Sequence, residues 1–287
     1  LTLGEARRAV APLLEAAGIA EAEREARLFV QLATKLTPER LLLEEARGLT
    51  AEEGRVLDEA LKRRLLHEPL SRIQGQRAFY GRIFKVTPAV LDPRPETETL
   101  VDLVLEWADA TGGRQRPLSL IDIGTGSGCI LITLLAEMPR AQGLGTDVSR
   151  DALGVARANA VLNGVAGRAR FMEARSLSGV TGTFDVLVSN PPYIPSGEIA
   201  GLEPGVRDFD PRPALDGGPD GLAVYRDIAA GAGVLVPAGL MAVEVGAGQA
   251  ADVAAIFTKA VENRAGDPAM RRDLGGHTRC VALLTHS

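Results

Sequence analysis

Apolar residues recur at three- and four-residue spacing from Thr2 to about His67, as in Leu28, Val30, Leu32 and Leu36 and then Val56, Leu57, Leu61 and Leu65, against a background of Ala, Glu and Arg. That period is helical, and the background residues are good helix formers. Thr2 with Glu5 and Thr50 with Glu53 have the spacing of capping boxes, and Thr37 stands before Pro38 as a cap ahead of a proline at the first helical position. Four short helices are predicted. Between Gln76 and Val90 the pattern changes: Phe79, Tyr80, Ile83, Phe84 and Val86 flank Gly81-Arg82, a two-residue turn candidate between short strands. A helix is predicted from about Thr97 to Ala108, after Pro93-Arg94-Pro95. Beyond it, strand-like runs at Leu118–Ile123, Ala141–Thr146, Ala169–Glu173, Phe184–Ser189, Gly239–Val245 and Thr278–Leu284 alternate with helical segments. This alternation predicts an α/β fold with a doubly wound, mostly parallel sheet. Three regions follow: a helical domain over residues 1–75, a β-hairpin linker over 76–93 and an α/β domain over 94–287.

Composition narrows the functional classes. Of 287 residues 46% are hydrophobic and 24% charged, which suits a chain that folds unaided. A formal charge of -5 with pI near 5.4 leaves no excess of positive charge for a phosphate backbone, so direct nucleic-acid binding is not expected. Residues 1–80 carry thirteen basic and thirteen acidic side chains, a solvated face and not a basic clamp. Cys129 and Cys280 lie far apart, so neither a disulfide scaffold nor a Cys-rich zinc site is expected, and a reducing cytoplasm fits best. His67, His277 and His286 have no ligand spacing, and no metal is expected. The apolar stretch Ile228–Val243 contains Pro237 and falls short of a membrane span; no membrane association is expected. Glu5, Arg7 and Arg8 break the layout of a secretory signal, and the opening on Leu1 instead of Met suggests a trimmed or renumbered chain.

Three segments carry chemistry. Leu120-Ile121-Asp122-Ile123-Gly124-Thr125-Gly126-Ser127-Gly128 reads as a buried strand entering a glycine turn, followed by a helix over Cys129–Glu137. Such glycines let the backbone pass close to a ligand, and the helix start offers unpaired N–H groups. The alternative is a tight strand-to-helix corner with no ligand. A dinucleotide fingerprint would require Gly or Ala at position 129, which is Cys here, and glycines at 124, 126 and 128 behind Asp122 look like an S-adenosylmethionine (SAM) loop instead. Asp147 ends the next strand, nineteen residues after Gly128, where a carboxylate can accept both hydroxyl protons of a ribose. It could instead cap the following helix, although Ser149 can do that alone. Ser189-Asn190-Pro191-Pro192-Tyr193 follows the strand Phe184–Val188. Ligands of an open parallel sheet bind beyond the carboxyl ends of its strands, so Asn190 should face the crevice that holds the glycine loop. The Asn190 side-chain oxygen and the Pro191 carbonyl can accept the protons of a planar amide or amine; the alternative is a proline-stiffened turn.

With these motifs the sequence resembles the N5-glutamine methyltransferases of peptide chain release factors, the HemK/PrmC type. The resemblance covers nearly the whole chain. It includes the helical N-terminal domain, Glu68-Pro69-Leu70 to Phe79-Tyr80-Gly81, Leu91-Asp92-Pro93-Arg94-Pro95-Glu96-Thr97-Glu98, Asp122 to Gly128, Asn190-Pro191-Pro192-Tyr193, Pro211-Arg212-Pro213-Ala214-Leu215-Asp216-Gly217-Gly218 and Asp220-Gly221-Leu222. Asn-Pro-Pro-Tyr is shared with adenine-N6 and other N-methyltransferases, whereas Arg94–Glu98 and the helical domain are more specific. The resemblance implies a SAM-dependent methyltransferase sheet with an antiparallel last strand, and methyl transfer to the glutamine of the Gly-Gly-Gln loop in class I release factors. It implies that Asp122, Gly124, Thr125, Gly126, Ser127, Gly128, Asp147 and Asn190 meet the cofactor. Asn190, Pro191, Pro192 and Tyr193 would hold the acceptor amide, with Tyr193 against its plane. One departure stands out: Ala174-Arg175-Ser176 occupies the place where the family carries an acid and an aromatic near adenine, and Arg175 either stacks on the base or points to solvent. Competing readings are a ribosomal-protein glutamine methyltransferase, a nucleic-acid amino-methyltransferase with a flipped base, and a non-catalytic SAM-fold binding protein.

Overall fold

Thr2, Thr37 and Thr50 cap helices as their spacing requires. Each side-chain oxygen accepts the N–H three residues on, and Glu5 and Glu53 close the two capping boxes. The computed structural model describes residues 1–261, 264–273 and 275–286. Residues 1–75 of the first unit form five helices: α1 (Leu3–Ala16), α2 (Ala22–Thr34), α3 (Pro38–Leu43), α4 (Ala51–Leu65) and α5 (Leu70–Gln74). The four predicted helices are joined by the short α5, whose five residues are too few for a periodic signal. Their apolar sides close on Phe29, Leu3, Leu14, Val30 and Leu57. Burial of a side chain the size of Phe29 contributes about 2–3 kcal/mol. Glu53 is pulled down to about 2, first by the paired Arg47 guanidinium and then by the Thr50 N–H.

The second unit comprises residues 76–203 and 210–287, and residues 204–209 belong with 1–75 in the first. Its hairpin, β1 (Gln76–Phe79) and β2 (Arg82–Lys85), turns at Tyr80-Gly81 and not at the expected Gly81-Arg82. Arg82 pairs with Phe79, while Tyr80 and Gly81 have φ of 50° and 68°, the left-handed pair that a tight hairpin turn demands. Glu98 accepts the Tyr80 N–H at 2.8 Å, and the Tyr80 hydroxyl donates to Asp102, which holds the non-glycine residue in that conformation. Segment 76–93, expected as a linker, is part of the second unit. Phe79 and Phe84 enter its core, and the buried Asn159 side chain bonds both the N–H and the carbonyl of Lys85.

The remaining elements are α6 (Glu98–Ala110), β3 (Ser119–Ile123), α7 (Cys129–Glu137), β4 (Gln142–Asp147), α8 (Arg150–Leu162), β5 (Ala169–Glu173), β6 (Val186–Ser189), α9 (Pro204–Arg207, in the first unit), α10 (Ala223–Leu235), β7 (Gly239–Glu244), α11 (Ala250–Val261), β8 (Ala269–Arg272) and β9 (Thr278–Thr285). The sheet order is β5-β4-β3-β6-β7-β9-β8. The five consecutive strands from β5 to β7 in this order are parallel, and β9 runs antiparallel to both β7 and β8. Alternation along the strands splits the core into two layers. Leu120, Val186, Val188 and Leu240 face α6 and α7, while Ile121, Leu187, Met241 and Val243 face α10 and α11. The edge strand β8 has four exposed residues and so offered no apolar pattern to predict it. Among the described residues no helix is long and apolar enough to cross a membrane, and no group of three or more His, Cys, Asp or Glu is placed to hold a metal ion.

Candidate active site

Strand register brings the expected residues to one edge. Ile123 pairs with Thr146 and Ser189, and Ser189 pairs with Val243. One residue further, Gly124, Asp147, Asn190 and Glu244 therefore leave four adjacent strands at the same level, on the carboxyl side where an open parallel sheet receives its ligands.

The glycine loop has the conformation its residues imply. Gly124, Gly126 and Gly128 all have positive φ, at 69°, 54° and 80°. A Cβ on Gly124 would meet nothing within 4 Å, and one on Gly126 only the Gly124 carbonyl at 3.9 Å, so the space over both is open. Gly128 differs: a Cβ there would lie 2.6 Å from Ile132 Cδ1, so this glycine serves the close seating of α7. The Thr125 N–H donates to the Thr146 carbonyl at 2.8 Å, and the Ser127 carbonyl accepts from Asn159 at 2.9 Å. Asp122 is fully buried. Its Oδ2 accepts the Thr125 hydroxyl at 2.7 Å, while Oδ1 has no hydrogen-bond partner among the described residues. Burial pushes its carboxyl up to about 7, against the pull of Thr125.

Asp147 is half-buried and does not cap α8, since the Ser149 side chain accepts the Ala152 N–H in that role. Asp147 Oδ2 instead accepts the Gly126 N–H and Oδ1 the Ser149 N–H, both at 2.9 Å. Each oxygen keeps a lone pair for a further donor. The carboxylate thus both orients the glycine loop and stands beside it as an acceptor. Arg175 points outward: its side chain is 83% exposed and pairs with Asp227 at 3.1 Å. The backbone around it is nevertheless fixed, because the Ala174 N–H donates to the Asp147 carbonyl and the Thr146 hydroxyl to the Ser176 carbonyl.

At the end of β6 the Ser189 hydroxyl donates to the Ile123 carbonyl at 2.7 Å, locking the corner to β3. The Asn190 amide nitrogen donates to Thr97 Oγ1 at 3.2 Å. With its NH2 group engaged there, Asn190 has its Oδ1 left as an acceptor. Pro191 is buried, while Pro192 and Tyr193 are half-buried. The Tyr193 ring packs on the α10–α11 side of the core, and burial raises its phenol above the usual range.

Comparison with known proteins agrees with this edge. The family models described as "PrmC N-terminal domain" and "Methyltransferase small domain" match residues 5–75 and 107–200. A release factor glutamine methyltransferase of Rhodospirillum rubrum is 45% identical over 93% of this chain and 80% of its own length. One from Bradyrhizobium diazoefficiens is 43% identical over 98% of this chain and 94% of its own. The chain belongs to the release factor glutamine methyltransferase family. The fold extends beyond that family: the hMettl16 catalytic domain, solved in complex with the MAT2A 3'UTR hairpin 6, aligns over 82% of each chain with a TM-score of 0.55 at 15% identity.

The family segments outside the glycine loop now have physical explanations. Arg94 pairs with the buried Asp210 at 2.6 Å, and the Asp92 N–H donates to the other oxygen of the same carboxylate. Segment 211–222 forms a cradle under Asn-Pro-Pro-Tyr. The Ile194 N–H donates to Leu215, Gly217 to Ile194 and Ser196 to Gly218. Gly221 has φ of 73°, and a Cβ there would come within 2.4 Å of the Tyr193 carbonyl and 2.6 Å of Gln249 Nε2, which itself donates to that carbonyl. Gly221→Ala is therefore expected to destabilise the protein by about 2–4 kcal/mol, from left-handed strain plus overpacking. Gly248→Ala, at φ of 81° with nothing within 4 Å, should cost about 1–2 kcal/mol from strain alone. Equal losses for the two variants in urea unfolding would contradict the cradle.

Glu244 was not singled out by the sequence reading. The signal is one acid inside the apolar run Gly239–Val245, which a fully buried strand accommodates only with partners. It is 2% exposed, and burial pushes its carboxyl up to about 7, while Thr97, Arg279 and Asn190 draw it back and Glu96 adds to the rise.

Proposed function

We propose that this chain transfers the methyl group of SAM to the side-chain nitrogen of the glutamine in the Gly-Gly-Gln motif of class I peptide chain release factors. The observation that carries this reading is the orientation of Asn190, whose amide nitrogen is turned back onto Thr97 so that Oδ1 stands as an acceptor one strand away from the glycine loop. The names of the relatives support the same substrate.

The residues present fit SAM. Gly124 and Gly126 leave open space above left-handed backbone, Asp122 keeps a buried oxygen without a donor, and Asp147 keeps lone pairs for two ribose hydroxyls. Thr125 and Ser127 hold the loop that would line the methionine side, through the Thr146 carbonyl and Asn159. Arg175, already paired with Asp227, is left out of the cofactor set. When bound, SAM supplies an electrophilic methyl on a sulfonium. The protein must make a poor nucleophile attack it, because an amide nitrogen delocalises its lone pair into the carbonyl. Asn190 Oδ1 and the Pro191 carbonyl accept the two N–H protons and hold the nitrogen in line with the methyl. The same two acceptors would stabilise positive charge growing on nitrogen as the N–C bond forms and the sulfonium S–C bond breaks, the demethylated thioether leaving and one N–H proton passing to water to give the neutral N-methylamide. Pro192 stiffens the corner, and Tyr193 packs against the amide plane. The helical unit serves recognition of the protein substrate, and the buried, free Cys129 and Cys280 suit a reducing cytoplasm.

Incubation with SAM and a purified release factor, followed by peptide mass spectrometry, tests the proposal. A single methyl on the Gly-Gly-Gln glutamine is expected. Modification of adenine in an oligonucleotide, with the release factor untouched, would overturn it.

A further inference from the structure

Thr97 and Glu244 lie behind Asn190, each 2% exposed and on different elements, the turn that enters α6 and the end of β7. Thr97 Oγ1 accepts the Asn190 amide N–H at 3.2 Å, while Glu244 leaves the neighbouring strand at the level of Asn190 with its buried Oε2 lacking a hydrogen-bond partner among the described residues. The Tyr225 hydroxyl donates to the Glu244 backbone carbonyl at 2.8 Å, which fixes the strand end that carries the acid. Packing alone does not call for this arrangement, since a Leu or Val at 244 would fill the core without burying a carboxyl.

We propose that Thr97 is a positioning residue for methyl transfer, holding the NH2 group of Asn190 inward so that its Oδ1 meets the acceptor amide. The inference deepens the functional reading above and rests on it. The terminal torsion of Asn is soft and roughly two-fold, so an unrestrained side chain samples both amide orientations. In the wrong one it presents N–H donors to an acceptor nitrogen that carries only N–H donors itself. The Thr97 hydroxyl oxygen behind the NH2 group, fixed on the buried turn that enters α6, removes that state.

The test uses the full-length chain with SAM and release factor. Thr97→Val, which keeps shape and removes the hydroxyl, is expected to lower kcat about tenfold, the worth of one hydrogen bond of ordinary strength. SAM affinity should stay near the parental value, the melting temperature should fall modestly because the Asn190 N–H loses its buried acceptor, and Thr97→Ser should return both kcat, to within about twofold, and the melting temperature. In an Asn190→Ala background, Thr97→Val should have no further effect, since nothing remains to be oriented. Parental kcat for Thr97→Val, failure of Ser to rescue, or the same tenfold loss on top of Asn190→Ala would each overturn the positioning role. Parental kcat for Asn190→Ala by itself would bring down the functional reading on which the inference stands.

Discussion

Asn190→Ala is expected to lower turnover on release factor by about 10²- to 10³-fold, the usual scale for loss of one preorganised polar partner of a transition state. The interaction strengthens as charge develops on the acceptor nitrogen, so its loss falls on kcat. SAM affinity should change little, because the glycine loop and Asp147 are held by Thr146, Ser149 and Asn159, none of which depends on the Asn190 side chain. Asn190→Asp is the subtler variant: it keeps an acceptor oxygen but replaces the donor that Thr97 receives with a second oxygen, and it sets a second carboxyl beside Glu244. It should retain more activity than Ala on a small amine and remain poor on glutamine. Single-turnover measurements with labelled SAM separate the chemical step from binding. A parental single-turnover rate for Asn190→Ala would return this residue to the role of a turn former ahead of two prolines.

Asp147→Ala should weaken SAM binding by about 1.5–3 kcal/mol, roughly 10- to 100-fold, as expected for charge-assisted hydrogen bonds to ribose. Part of that loss would come from the loop itself, since Asp147 also receives the Gly126 N–H. The start of α8 should survive because Ser149 supplies its cap. Calorimetric titration together with a melting curve decides the matter: unchanged affinity with a lower melting temperature would make Asp147 a structural residue.

Local sequence determined those features whose causes are local. Helix caps at Thr2, Thr37 and Thr50 need one side chain and the N–H three residues on, and all three form. The apolar runs that became β3, β6, β7 and β9 are legible because a strand buried on both faces excludes polar residues almost throughout. The glycines at 124, 126 and 128 and the prolines after Asn190 could be read for the same reason: each constrains its own backbone. The hairpin turn was displaced by one residue, because Tyr80 reaches a left-handed conformation through Glu98 and Asp102, well outside its sequence neighbourhood. β8 needed a partner strand to exist at all, and segment 204–209 left the surrounding sequence for the first unit. The level that unites Gly124, Asp147, Asn190 and Glu244 is a property of register between strands, which single-chain periodicity does not contain. Glu244 and Thr97, separated by about half the chain, come together only because β7 pairs with β6 and α6 packs on β7, and a buried carboxyl beside an amide becomes meaningful only once burial and hydrogen-bond partners are known.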